Sequence, residues 1–190
     1  MKVFNPFGPS IYQSELSDEF LSYLQEVARQ SEKGENVGYD LAGNIDSQKN
    51  AVIDPKRFTN EIYPHIQGYL DHKSLSFHLG NGPWINYMKK HEFNPLHTHD
   101  GILSSVIFID VPEEIEKEIE QWEGKTNCPC AGALEFVHAK SFTCPGHAKV
   151  IPKTGDIYIF PADMPHTVYP FSSDVIRISM SFNVFNLQFN

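Results

Sequence analysis

Two histidines one residue apart, His97 and His99, stand in the stretch Asn94-Pro95-Leu96-His97-Thr98-His99-Asp100-Gly101. In an extended segment, residues two apart project to the same face, so these imidazoles aim at one point. Such a pair is what a divalent transition metal takes from a rigid sheet. A second stretch, Gly155-Asp156-Ile157-Tyr158-Ile159-Phe160-Pro161, leads to Met164-Pro165-His166-Thr167-Val168 and supplies another histidine. Beyond it the chain alternates. Arg177, Ser179, Ser181 and Asn183 share one face of an expected strand, and Ile176, Ile178, Met180, Phe182 and Val184 share the other. A polar stripe on a strand ordinarily faces water.

The elements that must position these residues are legible from periodicity. Residues 3 to 16 alternate loosely (Val3, Phe4, Phe7, Ile11, Tyr12) and predict an edge strand leading into a helix. Ser17 is placed to cap that helix, with Asp18 and Glu19 in its first turn. Phe20, Leu21, Leu24 and Val27 recur at helical spacing, and Gly34 ends the pattern. Residues 38 to 50, rich in Gly, Asn, Asp and Ser, read as a surface loop. A second helical pattern runs from Pro55 to Asp71 through Phe58, Ile62, Ile66 and Leu70. Pro64 within it either starts the helix or kinks it.

From Leu75 the period changes to two. Strands are expected at 74–78, 84–89, 103–109, 133–137, 149–151, 157–160, 167–171 and 175–184. Many short strands between Gly, Pro, Asn and Asp turns indicate an antiparallel sandwich or barrel. The glutamate-rich segment from Pro112 to Trp122 reads as a solvated helix with Ile115, Ile119 and Trp122 as its buried stripe.

Composition sets the outer bounds. With 190 residues, 41% hydrophobic and 21% charged, the chain suits one globular domain. Its parts are expected to be helical support over 1–79 and a β core over 80–190, with an acidic insert near 112–127. No apolar run approaches a membrane span, and Met1 to Pro6 lack the features of a signal peptide. A cytoplasmic protein with no membrane partner is expected. The net charge of −9 disfavours a polyanion-binding face, so no nucleic-acid partner is expected. Three cysteines argue against a disulfide framework. A homo-oligomer is possible, since the edge strands cannot be ranked for exposure.

The stretches "NPLHTHDGILSSVIFIDVP" and "GDIYIFPADMPHTVYPF", followed by Arg177-Ile178-Ser179, resemble the Fe(II)/2-oxoglutarate-dependent oxygenases. The likeness is strongest to the small members encoded by bacteria and their phages, and it covers roughly residues 80 to 184. It implies a double-stranded β-helix, or jelly roll, with Fe(II) and 2-oxoglutarate as cofactors. The resemblance assigns His97, His99 and His166 as metal ligands. In the common pattern the second ligand is a carboxylate, whereas here Asp100 comes one position late. On a regular strand it points away from the histidines, which leaves it an alternative ligand or an outer partner that orients an imidazole.

By the same resemblance Arg177 would pair bidentately with the distal carboxylate of 2-oxoglutarate, and Ser179 would add a hydroxyl donor. The class often uses an Asn or Tyr ahead of the histidine pair, which makes Asn86 and Tyr87 candidates for cofactor binding. The two point to opposite faces, so at most one looks inward. The implied reaction is oxidative decarboxylation of 2-oxoglutarate to succinate and carbon dioxide, coupled to hydroxylation of a small-molecule or peptide substrate by dioxygen. No catalytic residue beyond the metal ligands is required.

Two other readings stay open at this level: a cupin-like metal enzyme that does not use 2-oxoglutarate, and a non-catalytic metal-binding jelly roll. The Arg177-x-Ser179 pair favours the first reading over both. Cys128, Cys130, Cys144 and His147 form a legitimate zinc set, but the C-x-C spacing is less usual than C-x-x-C. Free thiols are the expectation. His65, His72, His78, His91 and His138 show no pairing.

Overall fold

In the first helix, α1 (Asp18–Ser31), Ser17 is the N-cap and its hydroxyl accepts the Phe20 N–H at 3.2 Å. This satisfies one of the donors every helix start leaves free. The computed structural model describes all residues except Met1, Asn5, Phe7, His72, Lys73, Asn81, Ser141, Thr143, Cys144 and Asn190. Expectations involving Phe7, His72 and Cys144 lie outside the described residues. Ahead of α1, β1 (Lys2–Phe4) and β2 (Ile11–Glu15) pair antiparallel. The single expected edge strand is thus two short ones, separated where Pro6 and Pro9 interrupt.

After α1 comes β3 (Gln48–Asn50), inside the stretch expected to be loop. The second helix, α2, spans Pro55–Leu70. Asp54 caps it, its carboxylate accepting from Lys56 and Arg57 N–H groups. The helix neither starts nor ends at Pro64, which lies within it. It ends at Asp71, whose left-handed φ of 50° turns the chain.

The remaining elements are β4 (Leu75–Leu79), β5 (Trp84–Met88), β6 (Asn94–His97), β7 (Leu103–Asp110), α3 (Glu113–Gln121), β8 (Leu134–Val137), β9 (His147–Val150), β10 (Asp156–Pro161), β11 (His166–Val168) and β12 (Arg177–Phe189). One sheet has the order β1-β2-β10-β7-β12-β5-β3, with β4 also on β12; the other has the order β6-β11-β8-β9. The pairings are antiparallel throughout. The fold is the jelly roll.

Alternation along each strand of the large sheet separates two cores. Ile85, Ile107, Ile157, Met180 and Phe182 face α1 and α2, meeting Phe20, Leu24, Phe58 and Ile62. The rings of Phe58 and Phe182 meet edge to face at 5.4 Å, a favoured aromatic geometry. Residues of opposite parity, including Met88, Phe108, Tyr158 and Phe160, pack between the sheets with Phe136 and Phe171. In α3, Ile115 is buried but Trp122 is 53% exposed, so Trp122 is not part of the buried stripe. The helix ends at Gln121, which leaves Trp122 at its frayed C-terminus.

Candidate active site

Two strands of the small sheet bring the first histidines together. β6 and β11 pair antiparallel with His97 opposite His166, and cross-strand partners place side chains on one face within reach. His99 lies just past β6, held by a backbone bond from its N–H to the Ala162 carbonyl at 2.9 Å. Because the chain stays extended through Thr98, His99 returns to the side of His97, and Thr98 and Asp100 stay exposed. Gly101 then turns the chain with φ +110°, where a Cβ would come within 2.9 Å of the Val184 carbonyl oxygen. Only glycine fits such a turn without strain.

One ring nitrogen from each of His97, His99 and His166 lies within 4.8 Å of the others. Among the described residues this is the group able to hold a metal ion, and Asp100 is not part of it. The Nδ1 atoms of His97 and His166 sit 2.8 and 2.9 Å from the carbonyls of Pro95 and Met164. With Nδ1–H donating there, Nε2 is the free lone pair, the usual way a metal-binding imidazole is oriented. Burial depresses all three pKa values, with His97 adding repulsion on the other two: His166 falls to about 3 and His99 to about 4. At neutral pH the three rings are uncharged bases, the form that ligates. The Phe160 ring packs edge to face on His166 at 4.7 Å.

The large sheet supplies the opposite wall. The polar face of β12 does not look into water. Arg177, Ser179 and Ser181 line a cavity with His97, His99 and His166, about 590 Å³ including its mouth. Arg177 is 2% exposed. Its guanidinium donates to the Gly132 carbonyl at 2.7 Å, approaches Met88 Sδ at 2.9 Å, and lies over the Phe108 ring at 5.3 Å. Its Nε has no partner, and no carboxylate pairs with it among the described residues. Burial lowers its pKa to about 10, which leaves it cationic at neutral pH. A buried cation without a counter-charge is costly unless an anion supplies one. The cavity thus brings an uncompensated positive charge and three histidines to one lining, an arrangement suited to an anionic ligand.

Asn86 joins this wall, opposite Ser179 in the β5–β12 register. Tyr87 does not: it faces α1, and its hydroxyl donates to the Ala28 carbonyl. As a cofactor-binding candidate Tyr87 is corrected by strand alternation, which turns it into the helix-side core. Sequence reasoning missed Gln48, which is 2% exposed and donates to Asn86 Oδ1 at 2.7 Å. It also missed Leu41, Ala42, Gly43 and Ile45 beside it in the cavity wall. The segment read as a surface loop has an inner side that closes the site. A three-residue strand among polar residues leaves no periodic signal to find.

Neither described cysteine lines this cavity. Cys128 is exposed and Cys130 half-buried. His147 pairs with Glu135 at 2.7 Å, and Lys149 lies 3.0 Å from Cys128 Sγ.

Three imidazoles converging at the mouth of a jelly roll, with an unpaired buried arginine behind them, define a metal-dependent enzyme of the double-stranded β-helix class. The family model described as "Putative 2OG-Fe(II) oxygenase" matches residues 82–183, and the chain belongs to that family. It is accordingly an oxidoreductase of the dioxygenase type that uses Fe(II) and 2-oxoglutarate. No curated protein matches it. Among solved structures, a Pseudomonas putida prolyl-4-hydroxylase is similar at 14% identity and TM-score 0.58, covering 93% of this chain and 92% of that one. HygX from Streptomyces hygroscopicus, solved with nickel, 2-oxoglutarate and hygromycin B, is similar at 8% identity and TM-score 0.62, covering 95% and 83%. A 2OG-Fe(II) family oxidoreductase from Burkholderia pseudomallei is similar at 13% identity and TM-score 0.61, covering 92% and 84%. At these identities the likeness is one of fold. No helix among the described residues is long and apolar enough to cross a membrane.

Proposed function

We propose that the protein hydroxylates a C–H bond of a second substrate, with His97, His99 and His166 holding Fe(II) and Arg177 anchoring 2-oxoglutarate. The observation that carries this reading is Arg177, buried in the same cavity as the three histidines and lacking any carboxylate partner among the described residues. When bound, iron and 2-oxoglutarate supply the oxidising chemistry: one dioxygen atom goes to succinate as carbon dioxide leaves, and the other enters the C–H bond.

The chain's own residues bind, orient and exclude water. Arg177 offers its guanidinium to the distal carboxylate, and Ser179 and Asn86 line the path between that end and the histidines. The carbonyls of Pro95 and Met164 orient Nδ1 of His97 and His166, so Nε2 of each would be the nitrogen that holds the metal. Three neutral ligands give the centre one more positive charge than a set containing a carboxylate. That strengthens Coulomb attraction for an anionic co-substrate. Phe108, Leu134, Phe160 and Val168 set apolar surface beside the polar groups of the inner cavity, and exclusion of water there strengthens each electrostatic contact.

The test is an anaerobic titration of the metal-free protein with Fe(II) and then 2-oxoglutarate, followed by visible absorption. A weak charge-transfer band that needs both additions, and is lost in Arg177→Ala, is the expected result. Tight iron binding with no such band overturns the assignment of the co-substrate site. Failure to bind iron at all overturns the assignment of the histidines.

A further inference from the structure

Outward from the histidines the cavity opens into a second chamber, about 1340 Å³ with its mouth included. Trp84, His97 and His99 border both spaces, so whatever occupies the outer chamber lies against the proposed metal centre. The two chambers differ in charge. In the inner one the permanently charged side chain is Arg177. In the outer one the charged side chains are Asp40 and Asp100, and no Lys or Arg lines it among the described residues. Neither carboxylate has an ion-pair partner among the described residues.

Asn50, Thr98 and Asn183 add polar side chains to the outer chamber. Asn183 Oδ1 is buried and has no hydrogen-bond partner among the described residues, and Asn183 lines this chamber. Two carboxylates without ion-pair partners call for a cationic ligand with N–H donors. Three aromatic side chains, Tyr39, Trp84 and Phe185, complete the walls, and aromatic faces attract cations. Tyr39 is 80% exposed, which places its ring at the rim.

We propose that the second substrate carries a protonated amine or guanidinium and that the outer chamber selects it through Asp40 and Asp100. This deepens the proposed function and rests on it. A dianion held by Arg177 and a cation held at the mouth occupy opposite ends of a polarised cavity, which orders the two ligands without a separate gate. Neutral isosteres of the same length gain the apolar contacts but not the charge pairing. Anionic isosteres meet like charge at the mouth.

The test uses the protein loaded with Zn(II), a redox-inert stand-in for iron, and with 2-oxoglutarate. Retention of both is measured first. Binding of cadaverine, pentanediol and glutarate, which share a five-carbon length, is then followed by saturation-transfer NMR. Nα-acetyl-lysine methylamide serves as the peptide-borne arm beside cadaverine as the free amine. The expected result is binding by at least one amine, at least tenfold tighter than pentanediol and weakened at least tenfold in Asp40→Asn or in the double variant with Asp100→Asn, with zinc content unchanged. Which amine binds more tightly distinguishes a free amine from a lysine side chain. The proposal is overturned if neither amine binds the loaded protein, if pentanediol or glutarate binds as tightly, or if Asp40→Asn and the double variant bind amine as the wild type does. Failure to retain zinc and 2-oxoglutarate is a different result, and it overturns the functional reading beneath.

Discussion

Arg177→Met separates a binding arginine from a structural one, because the two roles predict losses in different assays. Methionine keeps most of the length and removes the charge. In the metal-free, ligand-free protein the guanidinium stands without a carboxylate among the described residues. Burial lowers its pKa from 12.5 to about 10, a cost of charging on the order of 3 kcal/mol. Its removal recovers that cost and forfeits the bond to the Gly132 carbonyl, worth about 1–3 kcal/mol when the acceptor is left buried. The two nearly cancel, so the unfolding free energy of the unliganded variant is expected to stay within about 1 kcal/mol of wild type.

Binding of 2-oxoglutarate behaves otherwise. Truncating one side of a buried charge pair costs about 2–5 kcal/mol. Ser179 and Asn86 remain in the wall, and the metal end is untouched, which places the loss at the low end. An increase in the dissociation constant of roughly 30- to 150-fold is expected, corresponding to about 2–3 kcal/mol. The assays are urea unfolding of the unliganded protein and the anaerobic charge-transfer titration. A variant that loses more than about 3 kcal/mol of stability yet binds 2-oxoglutarate as wild type does would refute the reasoning and return Arg177 to a structural role.

The remaining predictions concern the metal, the second wall and pH. Alanine at His97, His99 or His166 is expected to reduce bound iron to trace levels by elemental analysis, whereas Asp100→Ala retains close to one iron per chain. Gln48→Leu removes the partner of Asn86 Oδ1, and is expected to raise the KM for 2-oxoglutarate by about tenfold, the effect of about 1.4 kcal/mol, with kcat little changed; succinate formation measures both. For pH, His166 and His99 have folded-state values depressed to about 3 and about 4, below the 6.5 of the free side chain. Between those values the unfolded state binds more protons, so stability of the metal-free protein is full above about pH 6.5 and falls as pH drops toward 4. Urea midpoints measured across this window are expected to decline more steeply than those of His166→Ala.

How much was legible depended on whether a residue sat in a repeating pattern. The N-cap Ser17, the helix through Phe58 and Ile62, and strands such as Leu103–Asp110 carry a period that burial enforces, and they fold as the pattern says. The His97–His99 pair was legible because two-residue spacing in an extended chain has one geometric outcome. Trp122 was misplaced because its helix stops one residue earlier, and periodicity does not mark where a helix frays. Tyr87 was separable from Asn86 only by knowing which face of β5 meets the helices. Gln48 left no trace, since its role comes from a long-range pairing of β3 with β5 that local sequence does not encode.

The alternation of β12 ties stability to chemistry more closely than either core does alone. Met180, Phe182 and Val184 press against the helices with no solvent exposure, while Arg177, Ser179 and Ser181 on the other face line the cavity. A strand is stiff enough that its two faces move together. The bulge in its pairing with β7, where Ile178 opposes Asp110 and Ser179 opposes Phe108, falls between Arg177 and Ser179. Bulges twist a strand and re-aim its side chains. The register shift therefore helps to set the angle at which Arg177 and Ser179 enter the cavity. The histidines come from the other sheet, so their separation from Arg177 is set by how closely the sheets pack. Phe108, Phe136 and Phe160 fill that gap. Close-packed rings of this kind resist compression, and they thus hold the spacing between Arg177 on one sheet and the histidines on the other.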